Sequence, residues 1–267
     1  MFYAIISVLA AVCYLAAGFL LWRRLVRRAT TESSALPLFI GFVGVFLHFL
    51  SLYDAMYTGA GINLGFSNAT SLVMGFIALI FIITALSKPV ENLGIVLLPL
   101  AAALLVADYF APVGYKMEKT FSVALGLHIL FSVLAYAMLT LAAVQAVLLS
   151  VQDKQLHNHH PGGVIRALPP LVIMESLLFQ FLAVGFVLQS LSLLSGALFV
   201  EDLFAQHLVH KTVLSIIAWL VFAILLFGHW RYGWRGQTAT RWTLSGFFAL
   251  LLAYFGSKYV LEIILGR

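Results

Sequence analysis

The sequence predicts an all-α, polytopic membrane bundle of about eight transmembrane helices, and three observations carry that prediction. The 267 residues are 63% hydrophobic and 9% charged, with a mean hydropathy of +1.06, whereas a soluble domain is roughly a quarter charged. Eight apolar runs are each long enough to cross ~30 Å of hydrocarbon at about 1.5 Å per residue. The basic residues fall in short clusters between those runs, so the net charge of +5 reads as topology control and not as a nucleic-acid surface.

The runs cover about 2–22, 35–56, 68–87, 92–112, 120–149, 171–195, 210–228 and 242–264. The first has no basic segment before it and is followed by Arg23, Arg24, Arg27 and Arg28 instead of a small-residue cleavage site; it is expected to remain as a helix. Those arginines put the first connection on the cytoplasmic side, and alternation then places both termini outside. On that assignment Lys88, Lys154, Arg166, Arg231, Arg235 and Arg241 also lie inside, against Lys116, Lys119, Lys211, Lys258 and Arg267 outside. The longest inner loop, about 150–170, holds His157, His159 and His160 and ends in Pro169-Pro170, which opens the sixth span because proline is tolerated in a first turn. No internal repeat or second domain shows, and a single integral-membrane domain over 1–267 is expected. Cys13 is the one cysteine, which excludes an intramolecular disulfide, a Cys-x-x-Cys redox pair and a c-type haem attachment motif.

Polar residues inside spans are costly in hydrocarbon and mark the first candidates for function. His48 shares a helical face with Gly41, Gly44 and Ser51, a groove of small residues open to a flat ligand. His128 continues along a small face with Ser132 and Ala135, and His207 and His210 open the seventh span. Opposite crossing directions bring His48, His128 and His210 to similar depth near the outer surface. Neutral imidazole is a strong iron ligand, and two of these three histidines on facing helices are candidates for the axial ligands of a haem. Lys211 and Lys258, near outer helix ends, are candidate partners for its propionates. The bland alternative pairs each imidazole with a backbone carbonyl or a serine, and each lysine with the headgroup region or, for Lys258, with Glu262.

Other polar positions point to structure. Gly185, Gln189, Ser192 and Gly196 share one face, as do Asn68, Ser71, Gly75 and Ala78; small and amide residues of this kind pack helices. Glu175 is read as a favourable charge at a helix N-terminus, Asp54 as a solvated helix end, and the His157–His160 tract as a polar loop. His229, Trp230, Arg231, Trp234 and Arg235 form an aromatic and basic belt of the sort that anchors helices at headgroup level.

The run from His128 to Tyr136 resembles the histidine-to-tyrosine helix of the cytochrome c assembly family of haem-handling membrane proteins, which are CcsA- and CcmC-like, with the same eight-residue step. Lys211 through Trp219, Trp234-Arg235-Gly236 and Tyr254-Phe255-Gly256 also look like elements of that family, over a match of about 45–267. The small YpjD and HemX-type members are the nearest in pattern. The resemblance implies haem b as cofactor, location in a bacterial plasma (inner) membrane, and His128 as an external axial ligand; His229 lies two residues past the family's inner histidine. Departures bear on activity. The segment before Lys211 reads Gln206-His207-Leu208-Val209-His210, without the family's tryptophan-rich haem motif, and no histidine follows His229.

The expected function is therefore to hold or relay haem near the outer face through His128 paired with His210 or His48. No enzyme activity is expected, since thioether formation needs a partner that supplies apocytochrome cysteines and a reductant. Haem, membrane lipid and another membrane protein or an apocytochrome are the expected partners, with no nucleic acid. One alternative is a haem-free regulatory or scaffold protein of HemX type. Another is a solute or ion transporter lined by Glu175, His48 and Gln189, against which stands the lack of an inverted repeat or of interrupted half-helices.

Overall fold

The computed structural model describes residues 2–27, 34–57, 62–63, 65–109, 116–117, 123–157, 167–199 and 209–256. Its helices are α1 (Phe2–Arg27), α2 (Ala35–Met56), α3 (Phe66–Ala85), α4 (Glu91–Tyr109), α5 (Val123–His157), α6 (Leu171–Phe199), α7 (Val209–Tyr232) and α8 (Gly236–Leu251), the last continuing as a π-helical turn, Leu252–Gly256. A two-residue antiparallel bridge joins β1 (Ile62–Asn63) to β2 (Lys116–Met117). Among the described residues, α1 to α7 are long and apolar enough to cross a membrane, so the chain is a multi-pass membrane protein. The eighth expected span is covered in part: α8 itself has 16 residues. It starts six residues before the expected 242, in the polar stretch Gly236–Arg241, because a helix can begin in the headgroup layer before it enters hydrocarbon.

Helices α1–α4 form one compact unit and α5–α8 a second. In the first, each helix packs on the next and α4 returns to α1, closing a four-helix ring. Tyr14, Phe81, Leu93, Leu97, Leu98 and Leu105 are fully buried in it. The ring is tight because small residues face large ones: a Cβ at Gly18 would stand 3.1 Å from the ring of Pro99, which lies inside α4. Gly94 sits directly against Phe81 and Leu21. Arg24 pairs with Glu91 at 2.9 Å, tying the end of α1 to the start of α4 at the end of the ring that carries the arginines. At the opposite end Asn63 braces the entry to α3 with two hydrogen bonds. Its side-chain oxygen accepts the Gly65 N–H at 3.0 Å, and its carbonyl accepts from Asn68 Nδ2 at 3.0 Å. Ser67 there donates to Asp108.

The second unit repeats the ring order, α5 to α6 to α7 to α8 and back to α5. Ala135, Leu139, Ala142 and Ala146 make a buried stripe at helical spacing along α5. Gly185 of α6 admits Leu139 so closely that a Cβ there would lie 2.8 Å away, the small-residue packing that associates helices in lipid. Gln145 Nε2 donates to the Met174 carbonyl at 2.9 Å. Helix α5 runs eight residues beyond the expected 149, so His157 ends a helix instead of lying in a loop. Gln152, Lys154, Gln155 and Leu156 all propagate a helix well, and the membrane boundary gives no reason to stop. His159 and His160 lie outside the described residues.

The turn between α7 and α8 depends on two glycines with positive φ, Gly233 at 68° and Gly236 at 54°. Gly233 N–H bonds the His229 carbonyl at 3.1 Å, the left-handed C-terminal motif that favours glycine. Trp234 then folds back onto the bare face of Gly228.

Candidate functional site

His48 is fully buried within the first unit, and both ring nitrogens are engaged. Nδ1 lies 3.1 Å from the Tyr14 hydroxyl and Nε2 lies 2.9 Å from the Ser71 hydroxyl. A turn away, Ser7 and Ser51 hydroxyls meet at 2.6 Å. The groove expected beside His48 is filled, because Tyr14 and Cys13 of α1 pack on Gly44, and Ile82 of α3 packs on Gly41. The glycines serve helix approach here, and the imidazole completes a polar cross-link of α1, α2 and α3. This is the arrangement a buried polar group needs in a medium without water.

His128 lies on the second turn of α5 in the second unit and is half-buried. Its Nδ1 is 3.0 Å from the Ser192 carbonyl and 3.2 Å from Ser195 Oγ. A carbonyl only accepts, so Nδ1 carries the proton and, in the neutral ring, Nε2 holds the lone pair. Three more hydroxyl contacts secure the place. Ser195 donates to the Ser192 carbonyl at 2.9 Å, Ser132 donates to the His128 carbonyl at 2.7 Å, and the Ser132 and Ser192 hydroxyls meet at 2.7 Å. A histidine with Nδ1–H anchored to a carbonyl and Nε2 presented has the orientation that metal-ligating histidines adopt.

Two turns further along α5, the Tyr136 hydroxyl donates to the Leu250 carbonyl at 2.5 Å, at the junction where α8 passes into its π-helical turn. The rings of Tyr136 and Tyr254 lie 5.5 Å apart, and Lys211 Nζ stands 5.8 Å from the Tyr254 ring centre. Lys211 thus belongs with a tyrosine pair, a cation–π placement that sequence spacing did not reveal. His210 is exposed on the first turn of α7. Lys258 and His207 lie outside the described residues.

At the other end of α7, His229 repeats the pattern of His128. Its Nδ1 donates to the Trp234 carbonyl at 2.8 Å, and its ring stacks on Phe179 at 3.4 Å and 15°. Of the expected belt Trp230 is exposed, whereas His229 takes partners from the turn and from α6. Glu175 accepts the Gly236 N–H at 2.9 Å, so this carboxylate does serve a helix N-terminus, that of α8. Gln189 donates to the Ser215 carbonyl at 3.1 Å, and Trp219 Nε1 donates to Ser190 at 2.8 Å, both packing roles between α6 and α7. No cluster of three or more His, Cys, Asp or Glu suited to a metal ion occurs among the described residues; axial ligation of a haem needs one or two imidazoles.

Residues 36–265 match the family model described as cytochrome C assembly protein. The chain is 34% identical over 209 residues to the inner membrane protein YpjD of Escherichia coli K12, covering 77% of this chain and 78% of that one. It is 31% identical over 211 residues to a 28.8 kDa protein of Azospirillum brasilense, covering 76% and 77%. A shorter stretch of 89 residues, 33% of this chain and 28% of the other, is 29% identical to the cytochrome c biogenesis protein CcsA of Prochlorococcus marinus. No solved structure matches. With seven apolar helices and a relative that is an inner membrane protein, this is a multi-pass inner-membrane chain, and a match spanning most of its length makes it a member of the cytochrome c assembly protein family.

Proposed function

We propose that the protein holds haem b near the outer ends of the α5–α8 helices through His128, and passes it on without forming a covalent bond to it. Membership in the cytochrome c assembly family supports a haem-handling role in general. The finer reading rests on one observation, the bond from His128 Nδ1–H to the Ser192 carbonyl. That bond fixes ring orientation and tautomer and leaves Nε2 to ligate. The haem iron supplies the Lewis-acid centre that such a lone pair binds.

His210 of the same unit is the favoured second ligand, because both nitrogens of His48 are taken by Tyr14 and Ser71. Lys211, held over Tyr254, and Lys258 are the cations assigned to the propionates. Delivery to an apocytochrome or to another membrane protein is the natural partner step, and the cysteines and reductant of thioether formation come from that partner.

The deciding experiment is the absorption spectrum of the detergent-solubilised protein, before and after haem addition and with dithionite. A sharp Soret band and low-spin reduced α and β bands are expected, with most of the absorbance lost in His128→Ala and retained in His48→Ala. A spectrum that added haem leaves unchanged overturns the reading in favour of a haem-free regulator or scaffold.

A further inference from the structure

The α7–α8 hairpin carries an open cavity of about 190 Å³ lined by Val221, Arg241, Trp242 and Ser245. It lies apart from His128, toward the end of the helices where Arg231 and Arg235 cluster. Arg241 sits on the second turn of α8, and its exposed side chain makes no ion pair or hydrogen bond among the described residues. Below it along α8, Ser245, Phe248 and Leu252 continue one helical face, with Phe248 62% and Leu252 42% exposed. The facing wall is the α7 stripe of Ile224, Val221 and Ile217, with Ile224 46% and Ile217 43% exposed. The groove floor is shallow because Gly246 lies against Phe222 and Val221, where a Cβ would meet atoms at 2.8 to 3.0 Å. The indole of Trp242 is braced by Trp234, ring centres 5.5 Å apart.

From top to bottom this surface presents a cation and an indole, then a hydroxyl, then a strip of exposed aliphatic and aromatic side chains about two turns long. That sequence of chemistries matches one molecule, a glycerophospholipid seen from headgroup to acyl chain. We infer that the α7–α8 groove is a binding site for an anionic phospholipid, with its phosphate at Arg241 beside Trp242 and Ser245 and an acyl chain along Val221, Ile224 and Phe248. Charge complementarity selects the anionic class. Arg241 forms no ion pair among the described residues, Glu175 at that end is engaged by the Gly236 N–H at 2.9 Å, and Arg231 and Arg235 add to the positive potential there. A planar guanidinium binds phosphate through two parallel N–H donors, and an amphipathic indole at the same level favours the interfacial region.

The test is thermal unfolding of the full-length protein in mixed micelles containing phosphatidylglycerol, phosphatidylcholine or no added lipid, with inorganic phosphate in a parallel series. Phosphatidylglycerol is expected to raise the midpoint of the wild-type protein in a saturable way, while phosphatidylcholine and inorganic phosphate leave it near the lipid-free value. Arg241→Gln abolishes that shift, and Ser245→Leu, which fills the cavity, abolishes it too. Arg235→Gln, a neighbouring cation outside the cavity, retains it. Because Arg241 is exposed, the lipid-free midpoint of Arg241→Gln stays at the wild-type value, which separates lost binding from lost folding. Equal shifts with phosphatidylglycerol and phosphatidylcholine, an equal shift with inorganic phosphate alone, or a full shift in Arg241→Gln each overturns the proposal.

Discussion

His48 and His128 carry the same imidazole into similar apolar surroundings, and the partners of the two rings separate their roles. His48 has hydroxyls on both nitrogens, so removing it strands Tyr14 and Ser71 in a dry interior and leaves a void between α1, α2 and α3. His48→Ala is expected to destabilise the first ring by about 2 kcal/mol, measured as a lower unfolding midpoint in detergent with the haem spectrum intact. His128→Ala is expected to do the reverse, with a small change in stability and a large loss of haem absorbance. Replacing His157, His159 and His160 together is expected to leave the spectrum unchanged, since His157 ends a helix remote from the Ser192 contact. Single residue types pointed to these histidines in the sequence, but their partners did not show there. Tyr14 reaches His48 from a different helix, and nothing in the order of residues states which faces of α1 and α2 meet. Ser192 was legible as packing glue on α6, whereas the acceptor His128 uses is its backbone carbonyl, an atom every residue carries.

At the scale of elements, composition alone placed seven of the helices, because a run of about 20 apolar residues has few alternatives once water is excluded. Ends were harder to place. The apolar run of α5 ends where charge begins, yet helix propensity carries the backbone to His157, while α8 begins ahead of its apolar portion because its first turns can lie in the headgroup layer. The α5–α6 register is readable after the fact. The pairs His128–Ser192 and Gln145–Met174 share a midpoint near residue 160, the signature of two helices that run back antiparallel without slippage. Two predictions belong here. Gly185→Leu places a branched side chain where Leu139 already stands within 2.8 Å of a would-be Cβ and is expected to cost about 2 kcal/mol or more, read by thermal unfolding. Glu175→Ala removes the acceptor from the first N–H of α8 and is expected to cost about 1 kcal/mol, with Glu175→Gln keeping most of it because an amide oxygen also accepts; equal losses from the two variants would assign the effect to charge.

For the whole molecule, the arginine clusters predict which ends of the helices face the cytoplasm, and the first unit is internally consistent with them. Arg24 and Glu91 meet at one end, and Asn63, Ser67 and Asp108 gather at the other. In a Cys13→Ser background, a membrane-impermeant maleimide applied to intact cells is expected to label Tyr57→Cys and to spare Lys88→Cys; labelling of Lys88→Cys alone would invert the topology. The division into two rings of four helices was not visible in the sequence. Both halves share one composition, and the connection between α4 and α5 carries no more polar or flexible character than the others.

Ring closure within each half bears on how the protein is made. Helix α4 returns to α1, so the first four helices can bury their polar cross-links against one another before α5 has left the ribosome. His48, Tyr14 and Ser71 then never wait in lipid for a partner encoded later in the message. Assembly by halves shortens the period in which a nascent chain exposes unpaired hydroxyls and imidazoles to hydrocarbon, and leaves the second half to form on a chain that is already anchored.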